Sequence, residues 1–516
     1  MTDTANARGR QGHVLKTMGI TALAYLVNYG ITLVLTPYIT KTVGTEAYGF
    51  VTMAKQFVQY AAIVTTALNT FAARYIGLAW HNRELDKANT YFASVFWGNI
   101  ALGGGILLLS GLLIPLMDRA ILMPPALAGD IKALFLVTFL GFFITTAFSV
   151  FGCAAYVCDR TDLTGLFKTV SYLVNAGVLL LTYALFPAKV LYVGIGTAAA
   201  AAVVGLSDLF ISRRYLKGLS VSRAHFSLKA VKRLMLDGLW QSLNMVGDLL
   251  NNGLDLLVCN QMLTSLAMGQ LAIAKTIHTI IHSFYTVVEQ AFIPRFLRRY
   301  AEGDLKKLVN EFKIAMKASG LLANVIFAGF AALGLSYYRL WIPGEDIDTI
   351  YRLTLVTISV CIPSGAVHPL YYIYTLTVKK KVPCFVTVAG GVCNVIGMYV
   401  LIRFFGMGVY AVAWTTVAVM CVINFITNPL YMAHVLGVPK ATFYPDILRN
   451  TVSCGVLTAV FCLLKSLYAP DGWLGLIGCA AAYALIGAPL HLLIACNREQ
   501  RAALMGIVKR FRRKDP

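Results

Sequence analysis

Residues 47–55 read AYGFVTMAK, and residues 267–275, at an offset of 220 positions, read AMGQLAIAK. Each segment lies inside a long apolar stretch, and each ends in a lysine well past the start of a predicted helix. An ionised residue in the middle of a bilayer costs roughly 2.5–3.5 kcal/mol even on a lenient scale, so a repeated buried lysine needs a physical reason. We expect a water-filled, charge-lined cavity between two similar lobes. The coinciding positions are Ala47/Ala267, Gly49/Gly269, Ala54/Ala274 and Lys55/Lys275.

The composition indicates an all-α integral membrane protein. Of 516 residues, 58% are hydrophobic and 13% are charged, whereas soluble domains carry roughly 25% charged residues. A helix needs about 20 apolar residues to cross the hydrocarbon core, and the length of the apolar runs argues against barrel strands. The sequence predicts 14 transmembrane helices, near 17–39, 48–75, 90–114, 133–157, 165–186, 190–211, 235–260, 266–293, 315–340, 350–377, 384–404, 408–432, 450–467 and 473–495.

Lysine and arginine predict the orientation of these spans. With alternating spans, and with basic residues near the end of a span counted to the adjoining loop, 34 of the 44 basic residues fall on the side that holds both termini and 8 on the other side, while Lys55 and Lys275 remain inside spans. This asymmetry predicts that both termini are cytoplasmic. The net charge of +21 then reflects orientation and contact with anionic membrane lipids, and not nucleic-acid binding. The 11 cysteines include no CxxC pair, which argues against disulfides and a zinc site.

The repeat extends over most of the chain. At the same offset Asn28 aligns with Asp248, and Lys87 aligns with Lys307. Because six spans is an even number, two copies share one topology and should be related by an axis along the membrane normal, with the site between them. The predicted organisation is a cytoplasmic tail at 1–16, an N-lobe of spans 1–6 at 17–212, a basic cytoplasmic linker at 213–233, a C-lobe of spans 7–12 at 234–433, spans 13 and 14 at 434–495, and a basic cytoplasmic tail at 496–516.

Polar residues cluster on spans 1, 2, 7 and 8, which correspond under the repeat. In spans 7 and 8 they recur at spacings of 3, 4, 3 and 4, which places each set on one helical face. The span 7 set is Gln241, Asn244, Asp248, Asn251 and Asp255, and the span 8 set is Lys275, His278, His282, Tyr285 and Glu289. One interpretation is that Asp248 or Asp255 pairs with Lys275 and holds helices together; the other is that the cluster lines a transport cavity. The predicted substrate-binding residues are Tyr25, Asn28, Lys55, Gln59, Asp248, Asn251, Asn252, Asp255 and Lys275. His278, His282 and Glu289 are the predicted ion-coupling residues, since histidine titrates near neutral pH.

The chain is not expected to be an enzyme. It has no Walker A sequence for ATP hydrolysis, and its short loops leave no room for a soluble catalytic domain. A glycan polymerase or ligase would need a large outer loop with charged catalytic residues. No metal or other cofactor is expected.

The stretch TPYITKTVGTEAYGFVTMAKQF at 36–57, together with two lobes and two added helices, resembles bacterial polysaccharide flippases. These form the Wzx-like branch of the multidrug/oligosaccharidyl-lipid/polysaccharide (MOP) superfamily. The resemblance implies a MATE/MOP-like fold in the bacterial cytoplasmic membrane. It also implies alternating access, H⁺ or Na⁺ coupling, and flipping of an undecaprenyl-diphosphate-linked oligosaccharide to the outer leaflet for surface polysaccharide assembly. Membrane lipids and polysaccharide polymerase or assembly proteins are then the expected partners.

The positive charges of the predicted cavity are complementary to the diphosphate of this cargo. A diphosphate carries about two negative charges, which lysines on opposed lobes would neutralise. An inside-negative potential favours moving two negative charges outward by roughly 4.6 kcal/mol per 100 mV. The alternative is a cation-coupled drug exporter of the MATE type, whose site is expected to be acidic and aromatic.

Overall fold

Helices make up the architecture of this computed structural model, which describes residues 20, 24, 26–158, 160–377, 379, 381–501 and 504. No β-strand occurs among the described residues. The helices are α1 (26–43), α2 (Thr45–Asn69), α3 (Ala72–His81), α4 (Leu85–Leu113), α5 (Ala128–Phe148), α6 (Cys153–Val157), α7 (Thr161–Leu185), α8 (Leu191–Tyr215), α9 (Leu228–Asn252), α10 (Asp255–Met262), α11 (Ser265–Ala301), α12 (Leu305–Trp341), α13 (Ile347–Ser359), α14 (Cys361–Val367), α15 (Tyr372–Leu376), α16 (Lys381–Arg403), α17 (Val409–Val422), α18 (Asn428–Leu436), α19 (Tyr444–Leu467) and α20 (Gly472–Ala495).

Eleven helical segments among the described residues are long and apolar enough to cross a membrane. They match predicted spans 3–6 and 8–14, which confirms the all-α membrane class. The helices at predicted spans 1, 2 and 7, which are α1, α2 and α9, fall outside these eleven. Polar side chains lower their hydropathy; α2 carries Lys55 and α9 carries Asp248. The count of fourteen transmembrane helices therefore stays a prediction.

Contacts within the chain define two units. Unit 1 comprises Met1–Leu249 and Cys259–Gly269, and unit 2 comprises Leu250–Val258 and Gln270–Pro516. The predicted limits of the lobes, the linker and the terminal segments stay predictions.

The helix boundaries repeat along the chain as the residues do. α2 begins at Thr45 and α11 begins at Ser265, 220 positions later, and the same offset separates the first residues of α4 and α12. An interruption also repeats: a 3₁₀ turn at Ser149–Gly152 precedes α6, and one at His368–Tyr371, 219 positions later, precedes α15. Residues at these offsets can therefore be compared as structural equivalents.

One repeated sequence match is a repeated ion pair at a helix start. Lys87 Nζ lies 3.0 Å from a carboxylate oxygen of Glu84, and Lys307 Nζ lies 2.9 Å from one of Asp304. Asp304 also accepts a hydrogen bond of 3.0 Å from the Lys307 backbone N–H and so caps α12. The Lys307 side chain, and then this backbone bond, hold the pKa of Asp304 below its usual value.

In unit 1, glycines allow helices to approach closely. A Cβ placed on Gly141 of α5 would lie 3.2 Å from the Cα of Ala198 in α8. A Cβ on Gly49 of α2 would lie 2.9 Å from the Cα of Gly269, in the first turns of α11. Small residues at helix contacts are the usual means by which membrane helices gain packing energy.

In unit 2, buried polar bonds join α19 to α12. The ammonium of Lys317, which is fully buried, lies 3.1 Å from Asp446 Oδ1 and donates to the Asp446 carbonyl at 3.0 Å. Further along α12, Asn324 Nδ2 donates to the carbonyl of Asn450 at 2.8 Å. These bonds fix α19 to α12, since a lysine without its partner would be costly in this interior.

Candidate functional site

Lys55 lines a cavity of about 310 Å³ within unit 1, with walls from α2, α5 and α8. Its side chain is exposed to this space, and no described residue forms an ion pair or a hydrogen bond with its ammonium. Gln59, one turn further along α2, is also exposed in the cavity. Lys55 and Gln59 therefore offer one positive charge and one amide to a bound molecule.

Three threonines complete the polar lining of this cavity, Thr138, Thr145 and Thr197. Each hydroxyl donates to a backbone carbonyl of its own helix, at 2.7, 3.0 and 2.8 Å. Their protons are thus occupied, whereas their oxygens can still accept hydrogen bonds. Such oxygens suit a molecule rich in hydroxyl groups, and the ammonium suits an anion.

The equivalent wall in unit 2 surrounds Lys275 but encloses a cavity of only about 20 Å³. Thr357 lies there 219 positions after Thr138. His278 lies 220 positions after Val58, so an imidazole ring replaces an aliphatic side chain. Each unit therefore contains a cavity lined by one of the repeated lysines. The cavity at Lys55 is large, and the cavity at Lys275 is almost filled by side chains.

Lys275 is neutralised by a neighbour. Its Nζ lies 2.5 Å from Asp255 Oδ2 and donates to the carbonyl of Asn252 at 2.7 Å. The side chains of the pair are only 14% and 5% exposed. The sequence allowed these residues either to pair with each other or to line a transport cavity. The structure shows that Asp255 and Lys275 pair with each other. That both lysines bind one anion stays a prediction.

The expectation that polar residues from Gln241 to Asp255 share one helical face is wrong at its last member. α9 ends at Asn252 and α10 begins at Asp255, with a break at Gly253 and Leu254. The break places the Asp255 carboxylate in the first turn of a new helix, where the helix dipole favours a negative charge.

Asn251 is a packing residue. It is fully buried, and its amide donates to the carbonyl of Thr387 at 2.7 Å. The backbone carbonyl of Asn251 accepts a hydrogen bond of 2.7 Å from Asn394 Nδ2. These bonds tie the end of α9 to α16.

The remaining predicted substrate residues have separate surroundings. Asn28 is half-buried on α1. Asp248 is exposed, and its carboxylate accepts a long hydrogen bond of 3.5 Å from Asn244 Nδ2. Asn252 lines the small cavity beside Lys275. Tyr25 lies outside the described residues.

The predicted ion-coupling residues meet a histidine that the sequence reasoning missed. His368 Nδ1 lies 3.1 Å from Glu289 Oε2, and the centres of the His368 and His282 rings are 5.4 Å apart. His278 lies one turn further, with its ring centre 6.3 Å from that of His282. The sequence signal for His368 was a histidine followed by Pro369 inside an apolar run, where a helix is interrupted.

The repeated helices and the paired polar cavities define a multi-pass membrane protein of the MATE/MOP-like fold, as the sequence predicted. The description "Polysaccharide biosynthesis protein" belongs to the family that matches residues 14–300, and the chain belongs to this family. The resemblance to polysaccharide flippases is thereby confirmed.

One relative and two solved structures are also similar to this chain. The chain is 27% identical over 497 residues to "Uncharacterized membrane protein EpsK" of Bacillus subtilis (strain 168), covering 95% of this chain and 96% of that protein. The lipid II flippase MurJ, in an inward closed conformation, matches with a TM-score of 0.66 at 12% identity, over 93% of this chain and 99% of that one. An inward-facing MATE multidrug resistance transporter of the MOP superfamily matches with a TM-score of 0.64 at 13% identity, over 82% and 98%. At these identities the two solved structures establish the fold.

Proposed function

We propose that the chain flips an undecaprenyl-diphosphate-linked oligosaccharide from the inner to the outer leaflet of the bacterial cytoplasmic membrane. It does so by alternating access, driven by an H⁺ or Na⁺ gradient, and delivers its cargo to polysaccharide polymerase and assembly proteins. Membership of the polysaccharide biosynthesis family supports the class of product. The observation that carries the choice of cargo is the unpaired Lys55 ammonium in a cavity with hydroxyl oxygens.

The charge of this cavity favours an anionic cargo. An uncompensated ammonium within the membrane costs a few kcal/mol, and a diphosphate that enters the cavity would remove that cost. The Gln59 amide can donate to a phosphate oxygen, while the threonine oxygens can accept from sugar hydroxyls. Among the described residues that line the cavity there is no carboxylate, so a cationic drug would meet repulsion from Lys55. The lining therefore supports the flippase over the drug exporter.

A binding experiment tests the cargo without knowledge of the glycan. The full chain in lipid nanodiscs is titrated with undecaprenyl diphosphate and, separately, with undecaprenol, which lacks phosphate. We expect the diphosphate to bind more tightly than the alcohol, Lys55→Ala to weaken diphosphate binding about tenfold or more, and Lys55→Arg to retain most of it. Lys41→Ala removes the same charge from an exposed lysine of α1 and should leave binding unchanged. Equal binding of both lipids, or parental affinity in Lys55→Ala, would overturn the proposed cargo.

A cellular experiment tests the flipping. Surface glycan is quantified in cells that carry either the parent or Lys55→Ala as the sole copy, at matched amounts of inserted protein. We expect the variant to lose surface glycan and to accumulate the lipid-linked precursor inside. Parental amounts of surface glycan in Lys55→Ala would reject the transport role of the cavity.

A further inference from the structure

Unit 1 contains a closed ring of neutral hydrogen bonds at the interruption before α6. Asn69 Nδ2 donates to Asn99 Oδ1 at 3.0 Å, and Asn99 Nδ2 donates to Ser149 Oγ at 2.9 Å. Ser149 Oγ in turn lies 3.1 Å from Asn69 Oδ1 and 2.8 Å from the Thr146 carbonyl oxygen, and its single proton can go to either acceptor. Ser149 is the first residue of the 3₁₀ turn. None of these three side chains titrates near neutral pH.

Unit 2 has ionisable groups at two of the three equivalent positions. Glu289 lies 220 positions after Asn69, and His368 lies 219 positions after Ser149, again as the first residue of the 3₁₀ turn. Where unit 1 has a neutral amide–hydroxyl contact, unit 2 has a carboxylate oxygen 3.1 Å from an imidazole nitrogen. The neutral ring has thus been replaced by a carboxylate close to an imidazole, and His368 Nδ1 has no hydrogen-bond partner among the described residues.

The third position is occupied by a buried hydroxyl without a partner. Ser319 lies 220 positions after Asn99 on α12, which packs against the turn at His368–Tyr371. Its side chain is fully buried, and its Oγ has no hydrogen-bond partner among the described residues. Buried polar atoms are normally satisfied. The orphaned hydroxyl is therefore an independent sign that unit 2 departs from the closed ring of unit 1.

The groups that face His368 come mainly from α11. Glu289 forms the ion contact, and the rings of His282 and Tyr285 lie 5.4 and 5.5 Å away, centre to centre. From its own turn, the Tyr371 ring lies at 5.8 Å. Within the described part of the chain, no charged or titratable group of α12, α14 or α15 forms an ion pair, hydrogen bond or ring contact with His368.

We propose that Glu289, His368 and His282 form a proton-binding site of this protein. The bound proton resides on His368 Nδ1, which lies 3.1 Å from Glu289 Oε2 and has no hydrogen-bond partner among the described residues, and it converts a pair of net charge −1 into a neutral pair. The carboxylate and imidazole are largely buried, with side chains 18% and 14% exposed. Burial penalises net charge. The difference in free energy between the protonated, neutral pair and the deprotonated pair of charge −1 therefore depends on how much water reaches the site. His282, whose side chain is exposed, passes the proton between the pair and the aqueous side.

The backbone around this site can respond to the proton. Tyr371, at the end of the 3₁₀ turn that His368 begins, donates to Asn424 Oδ1 at 2.8 Å and accepts from Asn428 Nδ2 at 2.9 Å. Asn424 lies in a π-helical segment, Ile423–Thr427. Short 3₁₀ and π segments inside helices often mark functional positions. Proton binding at His368 is thus one turn away from a contact between the irregular segments of two spans.

The use of this site in transport rests on the proposed function, whereas proton binding itself does not. The test follows the ring signals of the eight histidines by NMR during a pH titration of the full chain in detergent micelles, with isotope-labelled histidine. The His368 signal is assigned by its loss in His368→Gln or, if that variant does not fold, by elimination with single substitutions of the other histidines.

In the parent we expect the His368 and His282 signals to titrate interdependently, as coupled groups do. Glu289→Gln should change both titration curves, since a negative charge 3.1 Å from His368 is removed. Glu289→Asp should restore most of the coupling. Glu302→Gln, which alters an exposed carboxylate after the end of α11, should leave both curves as in the parent. An unchanged His368 curve in Glu289→Gln would overturn the proposal.

The two proposals fail in different experiments. If the histidine curves respond to Glu289→Gln but Lys55→Ala binds undecaprenyl diphosphate normally, the proton site stands and the cargo is rejected. If lipid binding depends on Lys55 but the His368 titration curve is the same in Glu289→Gln as in the parent, the proposed cargo is supported and the proton site is rejected.

Discussion

Gly49 and Gly269, which occupy the same position in the two copies of the repeat, lie backbone to backbone. A Cβ on Gly49 would come within 2.9 Å of the Cα of Gly269, and a Cβ on Gly269 would overlap the carbonyl of Thr45. Ser265 Oγ, one turn before Gly269, donates to the Glu46 carboxylate at 3.0 Å. The short match that reveals the repeat is therefore also a packing contact within unit 1.

Substitution at this contact should destabilise the protein. We expect Gly49→Ala and Gly269→Ala each to cost about 1–3 kcal/mol, because an added methyl group must displace backbone. The measurement is the fraction of monodisperse protein that remains in detergent after heating. Gly177→Ala, on α7 with open space around it, is the matched control and should be neutral or slightly stabilising. Equal heat resistance in all three variants would contradict this packing.

The two repeated lysines should behave differently in stability measurements. Lys275→Ala leaves the buried Asp255 carboxylate without its cation, so a loss of about 3–5 kcal/mol is expected. The double variant Lys275→Met/Asp255→Leu should recover much of that loss. Lys55→Ala removes a charge that no described residue neutralises, and the protein should keep its thermal stability. Equal losses in the two alanine variants would show that the lysines have equivalent roles.

Tyr371→Phe removes one hydroxyl that joins two irregular segments. Asn424 and Asn428 each lose a hydrogen-bond partner, and we expect a cost of about 1–3 kcal/mol. Thermal unfolding of the purified protein measures it. Tyr410→Phe serves as the control, since the described residues give the Tyr410 hydroxyl no hydrogen bond. A Tyr371→Phe variant as stable as the control would show that the contact contributes little.

The neutral ring of unit 1 can be rebuilt in unit 2. The triple variant Glu289→Asn/Ser319→Asn/His368→Ser places the three residues of unit 1 at the equivalent positions. We expect it to insert and fold like the parent but to lose the pH dependence of glycan export, because the proton-binding pair is gone. Export is measured in cells or vesicles across a range of external pH. A parental pH profile in the folded triple variant would be incompatible with coupling through this site.

The sequence was sufficient for the features that depend on local periodicity. Apolar length predicted the helices, and the offset of 220 between Lys55 and Lys275 predicted a repeat that the starts of α2 and α11 follow. These predictions succeed because hydropathy and residue spacing are properties of one segment at a time and decide which segments form long apolar helices.

Contacts between helices could not be read in this way. Lys55 and Lys275 stand in similar local sequences, yet their cavities differ because Val58 and His278 are not alike and because Asp255 begins a new helix. His368 was missed since its partner Glu289 belongs to a different span, and periodicity within one span says nothing about neighbours from another. Applying the repeat offset to polar residues such as Ser149 would have found it.

The ion pair between Lys317 and Asp446 has a consequence for synthesis on the ribosome. The two residues are 129 positions apart, so at about 5–20 residues per second the lysine is made about 6 to 26 seconds before its counter-ion. During that interval the newly inserted α12 carries an ammonium that the finished protein buries completely. A chain whose synthesis stops before α19 therefore contains a lysine on α12 that lacks both the carboxylate and the backbone carbonyl of Asp446.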